Sequence, residues 1–193
     1  MATSEQSSIE AQYAQAEEEL RRCQSKLLQL SRQLARPITQ EYLFAGPENT
    51  RVSFSSLFGD QQDLIVIHNM GASCVYCTLW ADEFNGALPH LQNRAAFVVI
   101  SPDAPEAQQR FAQERGWKFP MVSSQGTTFK EDMGFQTAKG VMPGISTFHR
   151  HADGSITSVA SDFFGPGDSY NSVWHVFDLL HDGVNGWEPQ YRY

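Results

Sequence analysis

Two cysteines spaced Cys74-Val75-Tyr76-Cys77 are the residues of this chain whose type and separation could do chemistry. A thiolate is the form of cysteine that attacks sulfur or binds metal, and the free N–H groups and positive dipole end at the start of a helix favour it over the thiol. A CxxC pair beside alternating strand and helix patterns reads first as a redox dithiol and second as part of a metal site. On the redox reading Cys74, at the helix start and more exposed, attacks a substrate disulfide, in a protein or a small molecule. Cys77, one turn inward, then resolves the mixed disulfide. Tyr76 either donates a hydrogen bond to the thiolate or packs as a lid. The Val-Tyr dipeptide holds no positive charge, so an extreme oxidant is not expected. On the metal reading the soft thiolates select copper, as Cu(I), or zinc, with His68, His90, His149 or His151 as third ligand. No second CxxC and no HxxxH accompanies them. A third reading is a non-catalytic binding or scaffold protein with inert cysteines; the redox reading needs no cofactor.

The pair must be held by the elements around it. Residues 64–67 form an apolar run typical of a strand buried on both faces, and Gly71, Ala72 and Ser73 make the turn after it. Residues 78–88 carry Leu, Trp and Phe at helical spacing, in a helix whose course Gly86 and Pro89 are expected to interrupt. Residues 95–101 predict a second fully apolar strand, and residues 104–115 a helix closed by Gly116. This β-α-β-α order predicts an α/β fold with a parallel sheet covered on both faces. Short β-prone runs at 42–44 and 51–54 flank Gly46-Pro47-Glu48-Asn49 as a hairpin, and residues 119–123 suggest another strand. Residues 125–140 read as irregular or partly helical. Strands at 145–149 and 156–160 flank His151-Ala152-Asp153-Gly154, a hairpin signal. Val173, Val176, Phe177 and Leu180 mark a last helix, with Asp168 or Ser169 as its cap.

At the other end, Ile9, Tyr13, Ala16, Leu20, Cys23, Leu27, Leu30 and Leu34 recur at alternating steps of four and three with no Gly or Pro between them. That heptad spacing predicts one long helix with a narrow apolar seam, which either dimerises or packs on its own domain. Cys23, on the seam, is expected to be a small buried hydrophobe. Residues 1–36 are therefore read as a helical extension and 37–193 as one domain. A chain of 193 residues with 41% hydrophobic content can bury such a core with length left over. The net charge of −8, with basic residues scattered, argues against a nucleic-acid partner. The polar, acidic first residues and the lack of any membrane-length apolar run predict a cytoplasmic protein with no membrane contact. Three cysteines are too few for a disulfide scaffold.

Two βα units, two antiparallel strands and a last helix, with CxxC opening the first helix, together resemble the thioredoxin fold. The resemblance implies that Pro143, in Val141-Met142-Pro143-Gly144, is the cis-proline beside the active cysteines, so that Met142 and Pro143 bind substrate, joined in that role by Trp80. It also puts His68 at the offset, six residues before the first cysteine, of the buried carboxylate of thioredoxins. There it either exchanges a proton with the cysteines or simply hydrogen-bonds to backbone. The segment between the second strand and Pro143, with Val99-Ile100-Ser101, Arg110-Phe111 and Phe119-Pro120, is more similar to peroxiredoxin-type members: a central mixed sheet flanked by helices, with a long N-terminal helix added. The peroxidatic signature is missing, because the proline and threonine/serine offsets fall on Ile67 and Gly71 for Cys74 and on Met70 and Cys74 for Cys77. Efficient peroxidase activity is therefore not expected.

Over nearly its whole length the chain resembles the bacterial thioredoxin-like family catalogued as domain of unknown function 899. The segments that carry this are Tyr42-Leu43-Phe44, Leu57-Phe58, His68-Asn69-Met70, Cys74 to Asp82, Leu88-Pro89-His90-Leu91, Gly116-Trp117, Val122-Ser123-Ser124 and Pro143-Gly144-Ile145-Ser146. After Ser158 the chain departs from that pattern, with Val159 to Phe164 in place of a His- and Tyr-rich stretch. The family has no assigned reaction, so the resemblance bears on fold.

Overall fold

The computed structural model describes residues 4–138 and 140–193, and of Asn49 the backbone alone; Met1–Thr3 and Lys139 lie outside the described residues. Two apolar strands sit at the centre, β4 (Asp63–His68) and β5 (Ala96–Ser101), paired in parallel. Alternation along each sends side chains into two separate cores. Leu64, Val66, Val98 and Ile100 join an aromatic cluster with Phe44, Phe54, Phe129, Phe135 and Phe148. Ile67, Phe97 and Val99 join Trp80, Leu88, Trp117, Phe119 and Phe164 on the other face. Burial on both faces explains why these runs are uninterrupted rather than alternating.

Around this centre the eight-stranded mixed sheet runs β1-β10-β9-β4-β5-β6-β2-β3. Here β1 is Arg36–Ile38, β2 Leu43–Ala45, β3 Arg51–Ser53 and β6 Met121–Ser123. The last two members are β9 (Gly144–Arg150) and β10 (Ile156–Phe163), with β7 (Gln136–Thr137) and β8 (Gly140–Val141) forming a small separate ribbon. The expected hairpins form: β2 pairs antiparallel with β3, and β9 with β10 across the Asp153-Gly154 turn. Register places Gly144 opposite His68, bringing the start of β9 beside the C-terminal end of β4. A Cβ at Gly144 would collide with the Asp162 carbonyl and the Phe135 ring, so the smallest residue is required there.

Helices α2 (Val75–Arg94), α3 (Pro105–Arg115), α4 (Phe129–Asp132) and α5 (Ser172–Phe177) flank the sheet. The expected break in α2 does not occur, for Gly86 and Pro89 both lie inside one continuous helix. Proline removes one N–H from the ladder, while buried Trp80, Ala81 and Leu88 before that point and partly buried Leu91 after it anchor the helix to the second core. Gly116 closes α3 in the left-handed conformation, as expected of a C-cap. The cap of α5 is Asn171 rather than Asp168 or Ser169: its side chain accepts from Val173 N–H, while Asp168 instead ties the preceding turn through Gly165 and Tyr170.

Helix α1 (Ser4–Gln33) has the predicted length but not the predicted cover. Ile9, Tyr13, Leu20, Leu27 and Leu34 are all exposed, and so is Cys23, which is not the buried hydrophobe expected. The helix meets the rest of the chain near β10 and lays its seam on none of the two cores. No helix among the described residues is long and apolar enough to cross a membrane.

Candidate active site

Cys74 is the N-cap of α2, with extended backbone angles and a sulfur that accepts the Cys77 N–H at 3.0 Å. The Tyr76 N–H is aimed at the same sulfur. These are donors that a helix start leaves without carbonyl partners, and they meet the sulfur because the preceding turn is fixed at several points. Asn69 Oδ1 accepts from Gly71 N–H at 2.7 Å, and the Asp103 carboxylate from Ala72 N–H at 2.7 Å. Gly71 holds φ 107°, and a Cβ there would strike Asp103, so a side chain is excluded on two counts. Thr78 Oγ1 donates to the Cys74 carbonyl at 3.1 Å.

The two thiols have opposite properties. Cys74 is half-buried and its pKa is lowered to about 7, chiefly by the hydrogen bond from the Cys77 thiol and then by the backbone donors, against the effect of burial. Cys77 is 3% exposed. Its thiol is pushed far up, first by that same bond to Cys74, then by burial and by the neighbouring sulfur's negative charge. Around pH 7 the outer sulfur is therefore losing its proton while the inner one keeps its own, so that above this pH the pair holds one proton, on Cys77.

His68 lies fully buried on the aromatic face of the sheet, stacked on Phe135 at 3.7 Å and on Phe129 at 5.6 Å between ring centres. Its Nε2 is hydrogen-bonded to Ser146 Oγ at 2.9 Å, and Ser146 Oγ to Ser161 Oγ at 2.9 Å. Nδ1 is buried without a partner. Burial, assisted by the positive Lys130, holds the ring's pKa well below its ordinary value, so it is neutral. Of the two expected roles, its hydrogen bond is to a side chain rather than to backbone, and neither ring nitrogen is hydrogen-bonded to a sulfur.

The Tyr76 ring turns away from the sulfurs and stacks on Trp174 at 6.2 Å and against Trp80 at 6.3 Å. It lines an open cleft of about 320 Å³ with Pro166, Trp174, Asp178, Trp187 and Glu188. Trp80, expected among the substrate contacts, is instead 2% exposed in the core behind Tyr76. Pro143 is the plainest correction: among the described residues every peptide bond is trans. Its neighbourhood is committed to internal pairing, since Met142 N–H donates to the Phe135 carbonyl and the Pro143 carbonyl accepts from Phe164 N–H. Backbone used in this way is not free to pair with a substrate strand.

The histidines considered as third metal ligands are scattered. His90 is exposed on α2, and His149, bonded to Asp63 at 2.7 Å, sits with His151 at the opposite end of β4 from the cysteines. Among the described residues no group of three or more His, Cys, Asp or Glu side chains could hold a metal ion.

Three further residues complete the site. Asp103 fixes the turn, as described. Tyr191, in the aromatic tail, donates its hydroxyl to the Ala72 carbonyl at 3.0 Å, and burial with the nearby sulfurs raises its pKa. Its own carbonyl accepts from Arg115 at 2.6 Å, and Arg115 is ion-paired with Asp82. Lys130, 3% exposed, donates Nζ to the Asn69 carbonyl at 2.8 Å. Asp103 lies just before the helix expected at 104–115 and had no signal for this role. Lys130 and Tyr191 had none, because they lie in stretches without hydrophobic period.

A parallel βαβ centre extended by an antiparallel β4-β9-β10 edge, with a cysteine pair at the start of the first helix, defines a thioredoxin-fold protein of the peroxiredoxin-like type. The chain belongs to the family described as "Bacterial protein of unknown function (DUF899)", whose model matches residues 3–192. Solved structures agree on the fold. Xanthomonas campestris peroxiredoxin Q aligns at a TM-score of 0.54 and 17% identity, covering 63% of this chain and 79% of its own. Peroxidoxin BcpB from Mycobacterium tuberculosis aligns at 0.54 and 21%, covering 69% and 86%. A peroxiredoxin-like protein from Aquifex aeolicus aligns at 0.52 and 15%, covering 66% and 73%. No curated protein matches the chain by sequence.

Proposed function

We propose that this protein is a thiol-disulfide oxidoreductase that acts through Cys74 and Cys77 on a disulfide-containing protein or small molecule. The observation that carries this reading is the Cys74 sulfur, which receives two helix-start N–H groups and the Cys77 thiol and has its pKa drawn down to about 7. Near neutral pH about half of it is thiolate, the form that attacks a disulfide. Attack on R–S–S–R′ forms Cys74–S–S–R and expels R′S⁻. The Cys77 thiol then gives up its proton and attacks the Cys74 sulfur, forming the Cys74–Cys77 disulfide and releasing RS⁻. The substrate gains two electrons from the protein, the Cys77 thiol gives up the pair's one proton, and the second proton needed to turn both released thiolates into thiols comes from solvent. The cleft lined by Tyr76 and Trp174 supports docking of a substrate against a residue that lies between the two cysteines in the chain. Peroxide is a poor substrate on this reading, because Ile67 and Gly71 supply neither the proline nor the hydroxyl that orients it.

Reduced wild type should reduce insulin disulfides, Cys74→Ser should lose this entirely, and Cys77→Ser should accumulate the mixed disulfide seen by mass spectrometry. Equal activity of wild type and Cys74→Ser would end the reading.

We further propose that α1 pairs with α1 of a second copy in antiparallel orientation. Its seam is exposed, and its charges are segregated: Glu5, Glu10, Glu17, Glu18 and Glu19 precede Arg21, Arg22, Lys26 and Arg32. An antiparallel partner sets each acidic half against a basic half, whereas a parallel one sets like against like. The double variant Leu20→Glu, Leu27→Glu should convert a dimer into a monomer in light scattering; monomeric wild type at micromolar concentration would refute the pairing.

A further inference from the structure

Among the described residues Lys130 is the one Lys, Arg, Asp or Glu side chain that is buried, and no carboxylate forms an ion pair with it. An ammonium placed in a protein interior is unfavourable unless something there uses its charge. Its hydrogen bond runs to the carbonyl oxygen of Asn69, at 2.8 Å. That oxygen belongs to the same peptide group as the Met70 N–H, and the Met70 N–H is aimed at the Cys77 sulfur. One planar, resonance-linked unit therefore has an ammonium on its oxygen end and the inner sulfur on its nitrogen end. Positive charge at the oxygen draws density from the nitrogen and strengthens the N–H as a donor, the usual cooperativity of linked hydrogen bonds.

We propose that Lys130 is a positioning residue that stabilises the Cys77 thiolate through the Asn69–Met70 peptide during the resolving step. The inference rests on the thiol-disulfide reading above. In that step the inner thiol must lose its proton while remaining buried, and the S–S bond to Cys74 forms as the Cys74–substrate bond breaks. Burial and the neighbouring sulfur both oppose the charge; the helix-start N–H groups do not help, because they are spent on Cys74. Burial lowers the Lys130 pKa to about 8, so at neutral pH the side chain is still mostly protonated, keeps its proton through the step and supplies the compensating charge. The other titratable groups that face this region are Cys74 on the same helix, Tyr191 in the tail, Glu131 beside Lys130, and neutral His68.

The test uses the full-length chain in a Cys74→Ser background, where Cys77 reacts alone and no substrate is needed. Iodoacetamide alkylation of Cys77 at pH 7, where Lys130 is charged, followed by mass spectrometry, should slow at least ten-fold in both Lys130→Met and Lys130→Gln. Methionine removes charge and donor, glutamine only the charge, and either one, once folded by circular dichroism, suffices to decide. An unchanged rate in a folded variant overturns the proposal. In the protein with both cysteines, Lys130→Met should form the mixed disulfide at the wild-type rate and resolve it at least ten-fold more slowly; equal resolution also overturns it. A wild type that never forms the Cys74–Cys77 disulfide would instead refute the oxidoreductase reading, and the Cys77 alkylation rate separates the two failures.

Discussion

The single proton shared between Cys74 and Cys77 makes the pair's reactivity a matter of pH. Cys74, lowered to about 7, should be alkylated with a midpoint near that value, while Cys77 in the same molecule stays unmodified until far higher pH. Rates measured by mass spectrometry between pH 5 and pH 10 check this; equal rates for the two thiols would contradict it. His68 gives a second residue-scale expectation, with the sign fixed by linkage. Its folded pKa is far below the unfolded value of about 6.5, so the unfolded chain binds the proton that the folded one refuses. Stability is fully present above pH 6.5 and falls as pH drops below it, by about 1.4 kcal/mol per pH unit for this one group. Urea unfolding at pH 7.0 and 5.5 should show that loss, and a folded His68→Leu should show little of it. The cysteine pair was legible because its spacing is itself the signal. Lys130 was not: it acts through a backbone group far away in the chain, and a peptide's orientation leaves no trace in residue types.

Elements were legible where one physical term dominated and obscure where two competed. The apolar runs of β4 and β5 admit no other reading than strands buried on both faces, and Gly116 closes α3 where it should. In α2 the local cost of Pro89 predicts a break, yet burial of Trp80, Ala81 and Leu88 against one sheet outweighs it. The trans Pro143 is the converse case, since a likeness to other thioredoxin folds suggested a geometry that local pairing with Phe135 and Phe164 replaces. Gly144, next to it, is confined by Asp162 and Phe135, a restriction that comes from distant parts of the chain. Gly144→Ala should therefore destabilise the protein by on the order of 3 kcal/mol through overpacking. Chemical denaturation measures this, and a change under about 0.5 kcal/mol would show that β10 moves aside freely.

For the whole molecule, the contrast is between a doubly cored sheet and a helix outside it. Because α1 covers neither core, a chain lacking residues 4–33 should unfold within about 4 °C of the intact one, a shift worth no more than roughly 1 kcal/mol at this size. Calorimetry on the two proteins decides this, and a larger fall would mean that the helix shields the sheet in solution. The heptad seam was readable in the sequence, but whether a seam faces its own domain is set by tertiary geometry that the pattern does not encode.

The aromatic run Phe164–Trp80–Tyr76–Trp174–Trp187 begins in the core and ends at the cleft, with Tyr76 held between the two cysteines in the chain. Two of these indoles, Trp80 and Trp174, are buried and in ring contact with Tyr76, the residue that precedes Cys77 on the same helix. A disulfide accepts an electron from excited indole far more readily than a thiol does, which makes the protein its own optical reporter. Oxidation should dim the intrinsic emission, reduction should restore it, and a redox titration needs no added dye.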